Sequence, residues 1–308
     1  MNILTVIRQK GFLTIRCKRT DKSIKVVLAK GKKQIMIDEI ITMFSYSFMQ
    51  KAIFVGALIA LCASLLGVIL VLKRYSMIGD GLSHVGFGAL SLAVALNTAP
   101  LAVAMPVVII AAFFLLRLND KGKIKGDSAI ALISSSSIAI GVIINAAAEG
   151  SNMDLNSYMF GSVLAMSGSD VQISIVLAIV VLSIFIIFYH RIFAITFDEK
   201  FAKATGIKTG FYNTLLAVLT AVTIVVGMRI MGTMLISSLI IFPALTSMRI
   251  FNNFRKVIIS SGIISVVCFI SGVILSYIYS FPTGACIVVA NLAVFILFTL
   301  LGRILGKE

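Results

Sequence analysis

GDGLSHVGFGALSLAVAL, residues 79–96, is an apolar stretch opened by a carboxylate and an imidazole. A run this long and this poor in charge is a candidate membrane helix, and an ionisable side chain inside such a run is costly and marks function by default. Asp80 and His84 stand four residues apart, so on a helix they project from one face and can converge on one cation. The structural alternative is that Asp80 serves as an anion near a helix N-terminus while His84 hydrogen-bonds locally. No other part of the chain offers such a pair.

Composition extends the membrane reading to the whole chain. Of 308 residues, 59% are hydrophobic and 13% charged, there is no Trp, and the mean hydropathy is +1.09. These values describe an all-α, polytopic membrane protein. Runs near the required length of about 20 apolar residues recur at 52–72, 80–97, 99–118, 128–148, 171–189, 211–228, 231–248, 257–279 and 283–301. They predict about eight or nine transmembrane helices. Gly232 and Pro243 bracket a Ser-containing run that reads either as a full span or as a broken, re-entrant helix. Beyond Asp80 and His84 the spans hold almost nothing ionisable, Asp127 and Glu149 falling at span ends.

Lys and Arg set the orientation, because cytoplasmic loops retain positive charge. With the 73–79 turn in the cytoplasm, that side collects Lys73, Arg74, Arg117, Lys121, Arg191, Lys200, Arg249, Arg255 and Arg303, among others, while the other side keeps Lys51 and Arg229. Much of the net charge of +15 is therefore topological, and a nucleic-acid partner is not implied. The segment 1–42 breaks the pattern: nine spans would place this basic stretch outside, and it has no signal-peptide design. Three accounts stand for it: a start upstream of the working one at Met43, a cytoplasmic arm that changes the span count, or a basic amphipath on the membrane surface. Residues 43–308 are expected to form one transmembrane domain.

Several function classes are absent from the sequence. There is no GxxxxGK[ST] phosphate loop, HExxH or GxSxG, so ATP hydrolysis must reside on another chain and a membrane hydrolase is not indicated. Cys17, Cys62, Cys268 and Cys286 are scattered, without CxxC spacing. Ser134 to Ser137, with Gly141 and Asn145, read as close helix packing rather than a hydrated path. Met231, Met234 and Met248 read as gap fillers rather than metal ligands. The segment FDEKFAKATGIKTGFYN, 197–213, reads as a short amphipathic cytoplasmic helix with Asp198 and Glu199 in its first turn, Phe197, Phe201, Ala202 and Ala204 supplying apolar contacts, and Gly206 as its C′ residue. It either docks into a partner's groove or lies on the bilayer. EGSNMDLNS, 149–157, is the longest polar outer loop, and Glu149 and Asp154 make it the candidate docking site for an outer protein.

Taken together and in order, LGVILVLKRYSMIGDGLSHVGFGAL (66–90), FDEKFAKATGI (197–207), MGTMLISSLIIFPALTSMRI (231–250) and FPTGACIVV (281–289) resemble the permease subunit of the metal-type ABC importers for zinc, manganese or iron. The resemblance spans 44–303 and is strongest to the zinc members. It implies a type II ABC importer-like fold in the inner, cytoplasmic membrane, and a homodimer. It further implies two copies of a cytoplasmic ATP-binding subunit and an extracytoplasmic solute-binding protein that delivers the metal. The family's D-x-x-x-H element falls on Asp80 and His84, implying a role in metal passage. Its ATPase-coupling helix falls near 197–207, on Asp198, Glu199, Ala202 and Gly206. One departure is that many members carry S-H-x-x-x-P-G, whereas Ser83 and His84 here lead into Val85, Gly86, Phe87 and Gly88, with no proline kink. An Asp oxygen and a His nitrogen suit zinc, manganese and ferrous iron alike. The donors do not choose the metal; the resemblance implies zinc first, manganese or iron next, as transported ion rather than bound cofactor. The rival readings are a permease for a metal chelate such as a siderophore or cobalamin, and a stand-alone secondary transporter or channel.

Overall fold

The structure is a computed structural model that describes residues 6–9, 12–15, 41–121, 126–147 and 168–304. The chain divides into two units, Met1–Tyr46 and Ser47–Glu308. Within the first, strands β1 (Val6–Gln9) and β2 (Phe12–Ile15) pair antiparallel with Val6 opposite Ile15. This hairpin lies in the basic N-terminal stretch, to which the sequence assigns no fold.

The second unit is all helix among its described residues. In chain order its elements are α1 (Ser47–Leu72), α2 (Ile78–Ala95), α3 (Pro100–Lys121), α4 (Gly126–Ala147), α5 (Gly168–Ile187), α6 (Tyr189–Phe197), α7 (Glu199–Ala204), α8 (Thr209–Met231), α9 (Thr233–Met248), α10 (Phe254–Tyr279) and α11 (Thr283–Ile304). Each apolar run of the sequence lies on one of these helices. Seven of them, α1, α2, α4, α5, α8, α10 and α11, are long and apolar enough to cross a membrane. The other two runs form shorter apolar segments, Pro100–Leu115 within α3 and Thr233–Met248, the whole of α9.

Helix ends are closed by the backbone itself. At the end of α1, Tyr75 N donates to Leu70 O (2.7 Å) and Arg74 N to Val71 O (3.0 Å), with Arg74 left-handed at φ 63°. Asn97 does the same after α2, at φ 50°, with Thr98 N donating to Ala93 O (2.9 Å). These paired bonds satisfy carbonyls that a helix terminus otherwise leaves open.

The core is built on α9, which packs against α1, α2, α8, α10 and α11, while α4 packs on α2 and α3, and α11 on α9 and α10. The outward faces of α4, α5 and α11 carry exposed Leu132, Ile143, Ile179, Ile186, Val289 and Ile304, the apolar surface a bilayer requires. Between helices, small residues and hydroxyls do the joining. A Cβ on Gly67 of α1 would stand 1.9 Å from the Ile240 carbonyl oxygen of α9, so the two backbones touch there. Ser265 Oγ of α10 donates to Ala60 O of α1 (2.8 Å), and Gly88 of α2 and Gly141 of α4 meet near Ser137. The last contact bears out the packing reading of the serine run.

Gly67→Ala is expected to force α1 and α9 apart, costing at or beyond the upper end of the about 1–3 kcal/mol typical of overpacking. Gly168→Ala, where an added Cβ meets nothing within 4 Å, serves as the neutral control. Thermal unfolding in detergent should show a clear drop for the first and none for the second; equal melting temperatures would remove the α1–α9 contact from the account.

Candidate functional site

Asp80 lies in the first turn of α2, and His84 follows one turn on. His84 Nε2 stands 3.5 Å from Asp80 Oδ2, with the carboxylate 42% and the imidazole 25% exposed. The other side of α2 is buried through Leu82, Ala89 and Leu90, and Phe87 and Ser91, which follow the pair along its own face, are buried too, so the opening is confined to the start of the helix beside the exposed Met77. Ser83 Oγ donates to Gly79 O (2.8 Å) and meets Ser237 Oγ of α9 at 3.3 Å, which fixes the rotation of α2 against the core. That rotation keeps Asp80 and His84 at the open edge.

The pair's spacing suits a chelate. With metal–ligand bonds of about 2.0–2.1 Å, donors 3.5 Å apart subtend about 117°, near the tetrahedral angle. Among the described residues no group of three or more His, Cys, Asp or Glu exists that could hold an ion. A chelate at this pair would take two donors from the described residues of one chain.

The segment after α6 forms the short helix expected from the sequence. Asp198 is its N-cap, accepting from Phe201 N (2.9 Å), and Glu199 opens the first turn of α7. Gly206 takes φ 84°, with Ile207 N donating to Ala202 O and Gly206 N to Lys203 O, the C′ geometry expected. Ala202 is fully buried against Ile195 and Tyr212. The phenylalanines differ from expectation: Phe201 is 62% exposed, and Phe197, though its ring touches Phe193 and Phe254, is 56% exposed. Ala204 is exposed too. A helix this short has one inward face, and the small Ala202 fills it.

Two polar constellations escape a linear reading. Lys73 Nζ contacts Glu199 Oε2 (3.2 Å) and donates to Asn213 Oδ1 (2.6 Å), while Asn213 Nδ2 donates to Glu199 Oε1 (2.8 Å). The second corrects the expectation that the remaining spans are nearly free of ionisable groups. Asp170, in the first turn of α5 and 6% exposed, pairs with Arg229 Nη1 in the last turn of α8 at 3.1 Å. The apolar run at 171–189 begins one residue too late to include it. Glu149 and Asp154 lie outside the described residues. Met231 is buried and Met248 packs against a core cluster on α1, α9 and α10, as gap fillers do, whereas Met234 is exposed and fills no gap.

Residues 45–302 match the family described as the ABC 3 transport family. The chain is 30% identical over 257 residues to the manganese transport system membrane protein MntC of Listeria monocytogenes, covering 83% of this chain and 91% of that one. It is 27% identical over 252 residues to the high-affinity zinc uptake system membrane protein ZnuB of Haemophilus influenzae, covering 82% and 97%. A solved structure, PsaBC from Streptococcus pneumoniae in complex with Fab, superposes with a TM-score of 0.76 at 28% identity, covering 85% of this chain and 94% of that one.

Asp198→Ala removes the side-chain acceptor for Phe201 N and is expected to cost about 1 kcal/mol locally. Amide exchange across 199–204 should accelerate by about five-fold, with α8 unchanged; unaltered exchange in α7 would mean that its burial at Ala202, not the cap, holds it.

Proposed function

The chain belongs to the ABC 3 transport family and is the membrane permease subunit of an ATP-binding-cassette metal-ion importer, and from that premise we propose that Asp80 and His84 bind the ion in transit. It is a multi-pass protein of the cell membrane and a transport subunit, not an enzyme; ATP hydrolysis belongs to a separate chain. The observation that carries the proposal is the Asp80–His84 pair, held at an open helix edge with one nitrogen and one oxygen donor directed at each other's space. Two donors bind weakly, and weak binding suits a site that must also release. A second copy of the chain, presenting its own pair, would complete a four-donor site of mixed nitrogen and oxygen.

Mixed N/O donors without thiolate accept zinc and manganese alike. The donor pair does not choose between them, and the zinc and manganese relatives put the two ions side by side. The ion passes this pair after delivery by an extracytoplasmic solute-binding protein, for which Glu149 and Asp154 are the proposed docking residues. The capped helix α7, with Asp198, Glu199, Ala202 and Gly206 as its framework, is proposed to meet the cytoplasmic ATPase. Its outward Lys200, Phe201 and Lys203 offer the charge and aromatic area of a docking surface.

In the cycle, the outer protein releases the ion into the dimer. The paired α2 helices hold it while water is replaced by carboxylate and imidazole. ATP-driven movement at α7 then shifts the helices so that the ion exits to the cytoplasm.

Radiolabelled zinc and manganese uptake into liposomes, with and without the ATPase, the binding protein and ATP, tests this reading. Uptake is expected only with all parts present, and uptake by this chain alone would establish a secondary transporter or channel instead. Asp80→Ala combined with His84→Ala is expected to lower uptake at least about ten-fold, since even outer-shell changes cost about 10–100-fold in metal affinity. Unchanged uptake at equal protein in the membrane would sink the site assignment.

A further inference from the structure

The turn between α1 and α2 roofs a cavity of about 40 Å³, walled by Ile69, Leu70, Tyr75, Leu82, Leu216 and Ala217, with Lys73 and Asn213 also on its lining. Apolar packing therefore does not fill the space between this turn and α8. Lys73 and Asn213, the charged and amide groups on its lining, are joined outside it by Glu199. Lys73, at the end of α1, meets Glu199 at 3.2 Å and donates to Asn213 at 2.6 Å; Asn213, in the second turn of α8, donates to Glu199 at 2.8 Å. Each residue touches both others, and each belongs to a different element.

Each corner is rooted. The two backbone bonds that end α1 fix the main chain at Lys73, and the Asp198 cap fixes the start of α7, where Glu199 sits. The Lys73 side chain is only 10% exposed, so its ammonium depends on these two partners for most of its solvation. Seven residues downstream of Lys73, across one short turn, stands Asp80.

We propose that Lys73 and Asn213 are positioning residues that join Glu199 in a strut, transmitting displacement of α7 through the α1–α2 turn to the helix bearing Asp80 and His84. The inference rests on the reading of α7 as the ATPase-facing helix and of Asp80 and His84 as the ion site. It also narrows the role of Glu199: Lys73 and Asn213 engage both carboxylate oxygens although the side chain stays 44% exposed, so Glu199 shares the docking surface with the outward Lys200, Phe201 and Lys203. A hydrogen-bonded network joined to rigid helix ends is the physical means by which such coupling travels, and a side chain in it is worth about 2–30-fold in coupling.

The test uses the whole complex in liposomes, this chain with its ATPase and solute-binding protein, and reads ions imported per ATP hydrolysed for radiolabelled zinc and manganese. Lys73→Met is expected to retain ATPase co-purification and ATP turnover while ions per ATP fall about five-fold, and Asn213→Ala, which leaves the Lys73–Glu199 pair in place, should lower the ratio about two-fold. Lys73→Glu should act as Lys73→Met does, and adding Glu199→Lys should recover at least about half of that ratio. Where Lys73→Met does not fold, the exchange of Lys73→Glu with Glu199→Lys decides the matter. An unchanged ratio in the folded variants would overturn the strut, as would a loss of uptake that only tracks loss of bound ATPase. Absence of ATP-driven uptake by the unsubstituted complex would instead strike the importer reading beneath it.

Discussion

Hydrocarbon offers a backbone N–H or C=O no partner, and this one constraint shapes every apolar helix of the bundle. It makes each apolar run a helix, and it makes the helix ends expensive unless the chain closes them, as it does at Arg74 and Asn97. It also removes the usual hydrophobic push between helices, because a neighbouring leucine is no more apolar than a lipid tail. Association must then come from close approach and exchanged hydrogen bonds. Gly67 against the Ile240 carbonyl and Ser265 on the Ala60 carbonyl are the form this takes around α9.

Against that background two ionisable pairs of the apolar helices have opposite designs. Asp170 and Arg229 come from different helices, and the carboxylate is nearly sealed from solvent. Such a pair holds α5 to α8, and breaking it would leave a charge stranded. Asp80 and His84 come from one helix and lie open at its edge. The Asp80 carboxylate takes a hydrogen bond from Ser237 of α9, and the exposed edge of the pair retains capacity for a third party. A locked pair stabilises a geometry, and an open one is available for traffic. Ser237 links the two functions, because it meets both Ser83 and the Asp80 carboxylate.

The sequence disclosed what depends on local cost. Charges at positions 80 and 84 inside an apolar run are conspicuous because they are expensive, and Gly206 is legible because the residue after a short helix benefits from a left-handed φ. Ala202 was legible as an apolar contact, but Phe201 was not readable as exposed, because which face of a six-residue helix turns inward is decided by neighbours distant in the chain. The same limit hid the contact of Lys73 with Glu199, 126 positions away, and with Asn213, 140 away. Asp170 was lost differently. Its run was bounded at 171, and a carboxylate just outside a boundary looks like a solvated end until α8 brings Arg229 beside it.

Gly232 divides what would otherwise be continuous helix from Thr209 to Met248, and it does so in a conformation, φ 91° and ψ 159°, closed to side-chain-bearing residues. At about 1.5 Å per residue, the uninterrupted helix would measure about 60 Å, twice the thickness of a bilayer's hydrocarbon. The glycine leaves α9 about 24 Å long, too short to match that thickness. Because α1, α2, α8, α10 and α11 surround it, the mismatch is met by protein rather than lipid. Bilayers of different acyl-chain length would thus press on α4 and α11 while leaving the central helix, and the serine that orients the ion pair, mechanically insulated.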